Sequence, residues 1–413
     1  MRKTVIYVTL FNFLAAGITF IINALLARVF PYEDFGRISV LMSLNVILIS
    51  LLQFGFSNAI VVFYNKNKEN DLDRGLFNYF TKKYLLFLLF LIPVYFTGIF
   101  LLDRYYNLTF YEKMFLFSAT FITTVYNNFT SYYQAIGNWK KYNFVNIFPN
   151  ILRGGILGLG FSIIYFLFNR NINYELYLKL YILYAIILFL FGILLFNDMI
   201  GIKNRSGIND KDFNKLVLSF GLVNIVIAIT MRVDNLIIEK YLGAKEVAIY
   251  SAANSLALVF PIITGSIMRV FMKEISKDSN YYLNKILAFQ KKYIIYLIGI
   301  IVGVVLISPY LIPLIFGSRY EESVSIFQLL VITYISSIYF TPIESYFYNE
   351  KSALILLMKC LQLVIFLIVS IILINVLSLY AVALAVLVSR LFAWFYFYLK
   401  ALKIKQNVEM DIK

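Results

Sequence analysis

Residues 84–102, YLLFLLFLIPVYFTGIFLL, form an uncharged run that is apolar along almost its whole length. A helix needs about 20 such residues to cross the hydrocarbon core of a bilayer. Across all 413 residues, 61% are hydrophobic and only 14% are charged. Soluble chains are about 45–50% apolar and about 25% charged. The chain has too few charges to cover a soluble globule, so we predict that most of its surface faces lipid.

Eleven further runs of this kind occur along the chain. A transmembrane β-barrel would show shorter segments of alternating polarity, whereas these runs are continuous. We therefore predict an all-α integral membrane protein with 12 transmembrane helices. The predicted spans are 5–27, 38–64, 84–102, 114–136, 144–168, 177–200, 216–238, 247–268, 286–308, 323–347, 352–374 and 378–399.

The distribution of Lys and Arg predicts the orientation, because cytoplasmic loops carry an excess of these residues. Of the 37 basic residues, 23 lie in the two termini and the loops on their side, and 9 lie in the opposite loops. Both termini are therefore expected in the cytoplasm. The net charge of +15 then reflects topology at a lipid surface, and no nucleic-acid partner is needed to explain it.

The chain has no histidine and a single cysteine, Cys360. These counts exclude a disulfide framework, a Cys/His zinc site and catalysis by a histidine base. No loop exceeds roughly 20 residues, which leaves no room for an extramembrane domain. We expect a protein without metal, cofactor or enzymatic activity that acts within the bilayer, surrounded by membrane lipids.

A shift of 212 residues superposes 10–44 on 222–256 with seven identities, and the polar ones include Asn12/Asn224 and Asn23/Asn235. Six helices in each half give the halves the same orientation, a plan common in transporters with a substrate site between the halves. We therefore predict two parallel six-helix bundles. The predicted domains are 1–200 for the first bundle, 201–215 for a cytoplasmic linker, 216–400 for the second bundle and 401–413 for a cytoplasmic tail.

Polar residues recur along one face of the fourth predicted helix and are frequent in the tenth. The first set is Thr120, Thr124, Asn127, Ser131 and Gln134, and the second includes Gln328, Thr333 and Ser337. A polar face in hydrocarbon is costly, so each set faces either another helix or a wet cavity. Hydrogen bonds between helices and the lining of a cavity remain the two alternatives.

Five cations lie within or at the edges of the predicted helices. Arg153, Lys359 and Arg390 are placed at membrane depth, where a cation costs about 2.5–3.5 kcal/mol on insertion scales. Arg269 lies near the cytoplasmic end of its helix, where it either lines the cavity or extends to the interface. The glycines that follow Arg153, at 154, 155, 158 and 160, are expected to permit close helix packing.

The fifth cation, Arg232, is two residues from Asp234, so the two cannot share a helix face and each needs a partner elsewhere. A structural ion pair and a functional role are both open for them. Asp234 and Glu344 are the main acids at membrane depth and are the candidates for coupling to H⁺ or Na⁺. The excess of cations suits an anionic solute such as a phosphate or pyrophosphate head group.

Residues 23–64 resemble the start of the bacterial O-antigen and capsular polysaccharide flippases of the Wzx type. These flippases are a branch of the multidrug/oligosaccharidyl-lipid/polysaccharide exporter superfamily. The resemblance rests on Arg28, on Phe35–Gly36 and on Gly55, and it recurs in 231–256 with Leu242–Gly243 and Tyr250. Ala248 departs from the pattern, because many relatives carry glycine there.

The resemblance implies two six-helix bundles around a central cleft in a bacterial inner membrane. It implies the transfer of undecaprenyl-pyrophosphate-linked oligosaccharide to the outer leaflet, for O-antigen (lipopolysaccharide) or capsule. Partners would then be the lipid-linked glycan, and the polysaccharide polymerase and chain-length regulator. Efflux of drugs or other small molecules by the same superfamily is the alternative, and a polymerase or acyltransferase is disfavoured by the short loops and missing histidine.

Overall fold

The computed structural model describes residues 2–66, 73–168, 173–196, 210–261, 279–350 and 352–411, and these are helical with short connections and no strand. We number the long helices in chain order. They are α1 (Arg2–Val29), α2 (Tyr32–Gln53), α3 (Phe56–Lys66), α4 (Asp73–Tyr106), α5 (Phe110–Ala135), α6 (Trp139–Phe168), α7 (Tyr174–Phe196), α8 (Asp210–Tyr241), α9 (Ala244–Ala257), α10 (Ser279–Phe316), α11 (Ser323–Glu350), α12 (Ser352–Leu377) and α13 (Leu379–Asp411).

Ten of the described helices are long and apolar enough to cross a membrane, which confirms the predicted all-α membrane fold. The stretches are Leu10–Val29, Tyr32–Gln53, Tyr79–Tyr106, Trp139–Ile163, Tyr174–Leu195, Lys211–Tyr241, Ile294–Phe316, Ser323–Glu344, Leu354–Leu377 and Leu379–Ile404.

Two of the twelve predicted spans are not among these ten. The span 114–136 corresponds to α5 (Phe110–Ala135), which is long enough but carries the polar face noted above. The span 247–268 begins in α9, and its residues 262–268 lie outside the described residues. The count of twelve therefore stays a prediction.

The prediction of a single helix over 38–64 is wrong, because the helix is interrupted between α2 and α3. Phe54 and Gly55 have φ angles of 34° and 77°, in the left-handed region where glycine is favoured. A Cβ on Gly55 would lie 2.4 Å from the Gly221 nitrogen and 2.6 Å from the Val217 oxygen. The break thus occurs where the backbone passes close to the backbone of α8.

The helix bounds repeat with the shift predicted from the sequence. The 212-residue shift carries the end of α1 at Val29 onto the end of α8 at Tyr241. It also carries the start of α2 at Tyr32 onto the start of α9 at Ala244. The repeat between the first and second halves is therefore present in local structure.

The helices pack into two compact units that do not follow the order of the chain. The first unit is Met1–Thr19 with Leu41–Arg232, and the second is Phe20–Val40 with Val233–Lys413. Helices α1, α2 and α8 each contribute residues to both units. The predicted domain bounds at 200 and 216 stay a prediction.

Within the second unit, two arginines bind carbonyls at helix ends. Arg28 binds those at the end of α10, and Arg319 binds those at the end of α1. Arg28 at the end of α1 donates from Nε to the Ile315 carbonyl at 2.8 Å. Arg319, just after α10, donates from Nη2 to the Phe30 carbonyl at 2.6 Å and also to the Ala27 carbonyl. The last carbonyls of a helix lack partners within it, so these arginines satisfy them.

Gly36 lies against the start of α9, and this contact generates a test of the fold. A Cβ at position 36 would lie 1.8 Å from the Ala244 carbonyl oxygen, which is backbone and cannot rotate away. We expect Gly36→Ala to lower the free energy of unfolding by about 1–3 kcal/mol, as overpacking does. Thermal unfolding of the purified protein measures this.

Gly98→Ala is the matched control, because no atom lies within 4 Å of a Cβ built at this position in α4. This substitution should be neutral or stabilising by about 0.5–1 kcal/mol. Equal stability of the Gly36→Ala variant and the parent would contradict the packing of Gly36 against α9.

Candidate functional site

In the first unit, polar residues line one face of α6. They recur at steps of three, four and three, which places them on the same side of the helix. We call the set the α6 polar face: Asn143, Asn146, Asn150 and Arg153. The Asn146 amide donates to Asn12 Oδ1 at 2.8 Å, and the Thr19 hydroxyl donates to Asn150 Oδ1 at 3.0 Å. Two members of the face are thus paired with α1.

The last member of the face, Arg153, lies against three tyrosines of α7. Its guanidinium interacts electrostatically with Tyr181, Tyr177 and Tyr184. The three rings are buried, with Tyr177 fully inaccessible. Their spacing of four and three residues brings the tyrosines to one face of α7. Arg153 is among the predicted site residues and these tyrosines are not, although their helical spacing is visible in the sequence.

Arg153 lacks a complete set of partners in this unit. Its Nε and Nη2 atoms are buried and have no hydrogen-bond partner among the described residues. No described carboxylate contributes to its electrostatic environment, which comes from the three tyrosines. The Asn143 side chain, fully buried at the other end of the face, likewise has neither amide atom bonded within the described part of the chain. The face therefore carries unused hydrogen-bonding capacity.

The glycines after Arg153 serve less for packing than expected. Nothing lies within 4 Å of a Cβ built on Gly155 or Gly158. The prediction that these two glycines permit close helix packing is therefore wrong. At Gly160 the expectation is confirmed, because a Cβ would lie 2.9 Å from Leu180 of α7. The positions of these glycines in the sequence therefore do not show which face of α6 contacts the neighbouring helix.

The polar face predicted on α5 is largely bonded within the protein. The Thr120 hydroxyl donates to Asn45 Oδ1 at 3.0 Å, and the Thr124 hydroxyl donates to the Thr120 carbonyl at 2.7 Å. The Ser131 hydroxyl donates to the Asn127 carbonyl at 2.9 Å. Asn127 and Gln134 are half-buried. Bonding inside the protein therefore accounts for Thr120, Thr124 and Ser131, and the role of the other two as cavity lining stays a prediction.

The polar residues predicted on α11 are bonded in the second unit. Gln328 donates to the Ser308 hydroxyl at 3.0 Å. The hydroxyls of Thr333 and Ser337 donate to backbone carbonyls of α11 itself, and both side chains are buried. This arrangement satisfies the hydroxyls locally, so their role as cavity lining also stays a prediction.

Lys359 and Glu344 form an ion pair between α12 and α11. Their side chains are 19% and 10% exposed, so water screens the pair little. The sequence had suggested Lys359 as a cation for the solute and Glu344 as a separate coupling acid. The structure brings the two together, and each charge is offset by the other.

Arg390 of α13 also has a partner in the second unit. Its guanidinium carbon lies 4.7 Å from the ring centroid of Tyr334, a cation–π contact. The Tyr334 hydroxyl donates to Asn254 Oδ1 at 3.1 Å. Arg390 and the buried Asp234 both act on the buried hydroxyl of Tyr250. Asp234 and Arg390 therefore belong to one buried polar cluster.

Two of the predicted cations remain outside these clusters. Arg232 is half-buried and has no ion pair among the residues that the structure describes. Arg269 lies outside the described residues. No group of three acidic, histidine or cysteine side chains in the described ranges could hold a metal ion.

The family comparison covers most of the chain. A model described as "Polysaccharide biosynthesis protein" matches residues 1–273, about two thirds of the length. The chain belongs to this family. No curated protein sequence matches it at a significant level. This member of the polysaccharide biosynthesis family is a multi-pass membrane protein. Its helices carry the polar and cationic side chains described above.

Solved structures show which fold this family member has. The lipid II flippase MurJ in an inward closed conformation is similar with a TM-score of 0.71 and 17% identity, over 98% of this chain and 91% of that one. Inward-facing and outward-facing multidrug resistance MATE family transporters give TM-scores of 0.61 and 0.67 at 14% identity, over 98% and 99% of this chain and 96% and 97% of theirs. The chain therefore shares the fold of these structures.

The ion pair between Lys359 and Glu344 yields a prediction. Lys359→Met leaves a buried carboxylate without its counter-charge and should lower the free energy of unfolding by about 3–5 kcal/mol. Lys359→Met combined with Glu344→Leu removes both charges and should recover most of the loss. Thermal unfolding of the single and double variants in detergent measures the coupling.

Lys179→Met is the matched control, because Lys179 pairs with Glu175 on α7 and both side chains are 50% exposed. An exposed pair of this kind contributes at most about 1 kcal/mol. A double variant no more stable than Lys359→Met would show that the charges do not offset each other.

Proposed function

We propose that the protein is a flippase that moves polyprenyl-pyrophosphate-linked oligosaccharide across the inner membrane of a bacterium. The observation that carries this proposal is the set of polar and cationic side chains on helices long enough to span a membrane, in a member of the polysaccharide biosynthesis family. A sugar head group offers hydroxyls to such polar faces, and a pyrophosphate offers charge to Arg or Lys. The glycan would be a repeat unit of O-antigen or capsule.

In the proposed mechanism the head group crosses while the prenyl chain stays in lipid. The barrier is about 30 Å of hydrocarbon, which a charged and hydroxylated group cannot cross unaided. Alternating access would expose the polar faces first to one side and then to the other. No covalent step is needed, so no catalytic residue is invoked.

Coupling to H⁺ or Na⁺ would use the buried carboxylates Glu344 and Asp234. Glu344 pairs with Lys359, and Asp234 and Arg390 both act on Tyr250, so each acid belongs to a cluster with a cation that the solute would also need. A proton or sodium ion on the carboxylate would release its neighbouring cation to bind the anionic head group. Ion binding and substrate binding would then be linked through the same charges.

The proposed setting follows from the distribution of basic residues. Both termini would lie in the cytoplasm, where the lipid-linked glycan is assembled. On the outer face the product would be released to a polysaccharide polymerase and its chain-length regulator, which we propose as contacts. Arg269 would line the path at its cytoplasmic end.

Efflux of small molecules is the second candidate function, because the fold is also similar to that of multidrug resistance MATE family transporters. Drug efflux and glycan flipping differ in what the polar interior must hold. Cationic drugs would be repelled by unpaired arginines, whereas an anionic head group would be attracted. Transport of a cationic dye tests the alternative directly.

The direct test is reconstitution of the purified protein in proteoliposomes with a fluorescent polyprenyl-pyrophosphate oligosaccharide. A glycosidase added outside measures how much glycan reaches the outer leaflet. We expect transfer well above that of protein-free vesicles. Transport of a cationic dye without transfer of the glycan would reject the flippase and favour efflux.

A charge reversal at Arg390 tests the role of the second unit. Arg390→Glu should reduce glycan transfer at least about tenfold at normal protein level, because it replaces an attractive cation by a repulsive anion at membrane depth. Surface glycan in cells gives a second readout. Arg104→Glu, at the exposed end of α4, is the control and should retain transfer. Full transfer by Arg390→Glu would remove this residue from the mechanism.

A further inference from the structure

We infer that Arg153, framed by Tyr177, Tyr181 and Tyr184, is a binding site for a single oxyanion of the phosphate class. The site lies inside the first unit, between α6 and α7, on helices that are long and apolar enough to span a membrane. The identification of the anion with the head group of the transported lipid rests on the proposed function. The binding site itself does not.

The charge of Arg153 calls for a compensating anion. A buried cation without a counter-charge is costly, and such groups are normally paired and hydrogen-bonded. Three tyrosine hydroxyls supply dipoles but no charge, and no described carboxylate acts on this guanidinium. A bound oxyanion would provide the charge that the surrounding residues lack.

The atoms left without partners have the geometry that an oxyanion requires. Nε and Nη2 are the two nitrogens on one edge of the guanidinium, and both are buried and unbonded among the described residues. This edge presents two parallel N–H groups, which match two oxygens of a phosphate or carboxylate. A neutral tyrosine hydroxyl beside Arg153 has a proton that it can donate to the anion.

Two of the other intramembrane cations, Lys359 and Arg390, are already engaged. Lys359 is paired with Glu344, and Arg390 lies on the ring of Tyr334 in a cluster with Asp234. Arg153 alone among these three retains buried donors with no described partner. An arriving anion therefore breaks no ion pair at Arg153, whereas at Lys359 it must compete with a carboxylate.

Two sources could supply the oxyanion. One is the pyrophosphate of a prenyl-linked substrate, and the other is the phosphate of an anionic membrane lipid. Both offer phosphate oxygens, and both are held in the membrane by a hydrocarbon chain. The experiment below uses one probe of each kind, so that its two arms separate them.

The test uses the full-length protein in a phosphate-free detergent, with farnesyl pyrophosphate in one arm and phosphatidylglycerol in the other. Farnesol controls for binding of the chain alone. Native mass spectrometry measures binding. The ligand-induced rise in unfolding temperature measures how far binding stabilises the folded protein. Arg153→Met should weaken farnesyl pyrophosphate binding at least about tenfold, and Arg153→Lys should weaken it less, since Lys keeps the charge but loses the parallel donors.

The unfolding temperature without ligand separates binding from support of the fold. Arg153→Met removes an uncompensated buried charge, so the unliganded variant should unfold no lower than the parent. Tyr181→Phe should weaken binding a few-fold because it deletes one hydroxyl. Arg104→Met, exposed on α4, is the matched control and should bind both probes like the parent.

Each outcome bears on the site. Loss of farnesyl pyrophosphate binding in Arg153→Met supports the site and its link to the substrate. Loss confined to phosphatidylglycerol supports an oxyanion site filled by membrane lipid and removes that link. Unchanged binding of both probes overturns the site, even if glycan transfer in proteoliposomes stands. Absence of glycan transfer, with binding that depends on Arg153, rejects the proposed function and keeps the site.

Discussion

A polar group inside a bilayer has no water to bond, so it must find its partner in the protein or in a ligand. This constraint orders the interior of the chain. The hydroxyls of Thr120, Thr333 and Ser337 are satisfied by neighbouring side chains or by the carbonyls of their own helices. Lys359 is satisfied by Glu344. Arg153 differs from these groups, because it is a cation with two buried donors that lack a partner among the described residues.

The two units meet this constraint in different ways. In the second unit, cations and acids have been brought together, as in Lys359 with Glu344 and in the cluster of Arg390, Tyr334 and Asp234. In the first unit, Arg153 is surrounded by hydroxyls without an acid among the described residues. Lys359 and Arg390 therefore have partners within the protein, whereas two buried donors of Arg153 have none among the described residues.

Sequence reasoning succeeded where the signal is local and repeated. Long apolar runs predicted the spanning helices, and the 212-residue repeat predicted matching ends for α1 and α8. Sequence-based prediction failed where a structural feature depends on which faces of two different helices contact each other. The break at Phe54–Gly55 depends on the backbone of Gly221, the glycines at 155 and 158 face open space, and Lys359 meets Glu344 from another helix. None of these contacts is encoded in the spacing of one helix.

A cryo-electron microscopy map of the protein with farnesyl pyrophosphate would show whether the unbonded edge of Arg153 receives an oxyanion carried on a lipid. We predict phosphate density within hydrogen-bonding distance of both Nε and Nη2 of Arg153, beside the hydroxyl of Tyr181. Phosphate density at Arg390 or Lys359, with the edge of Arg153 still empty, would contradict the account.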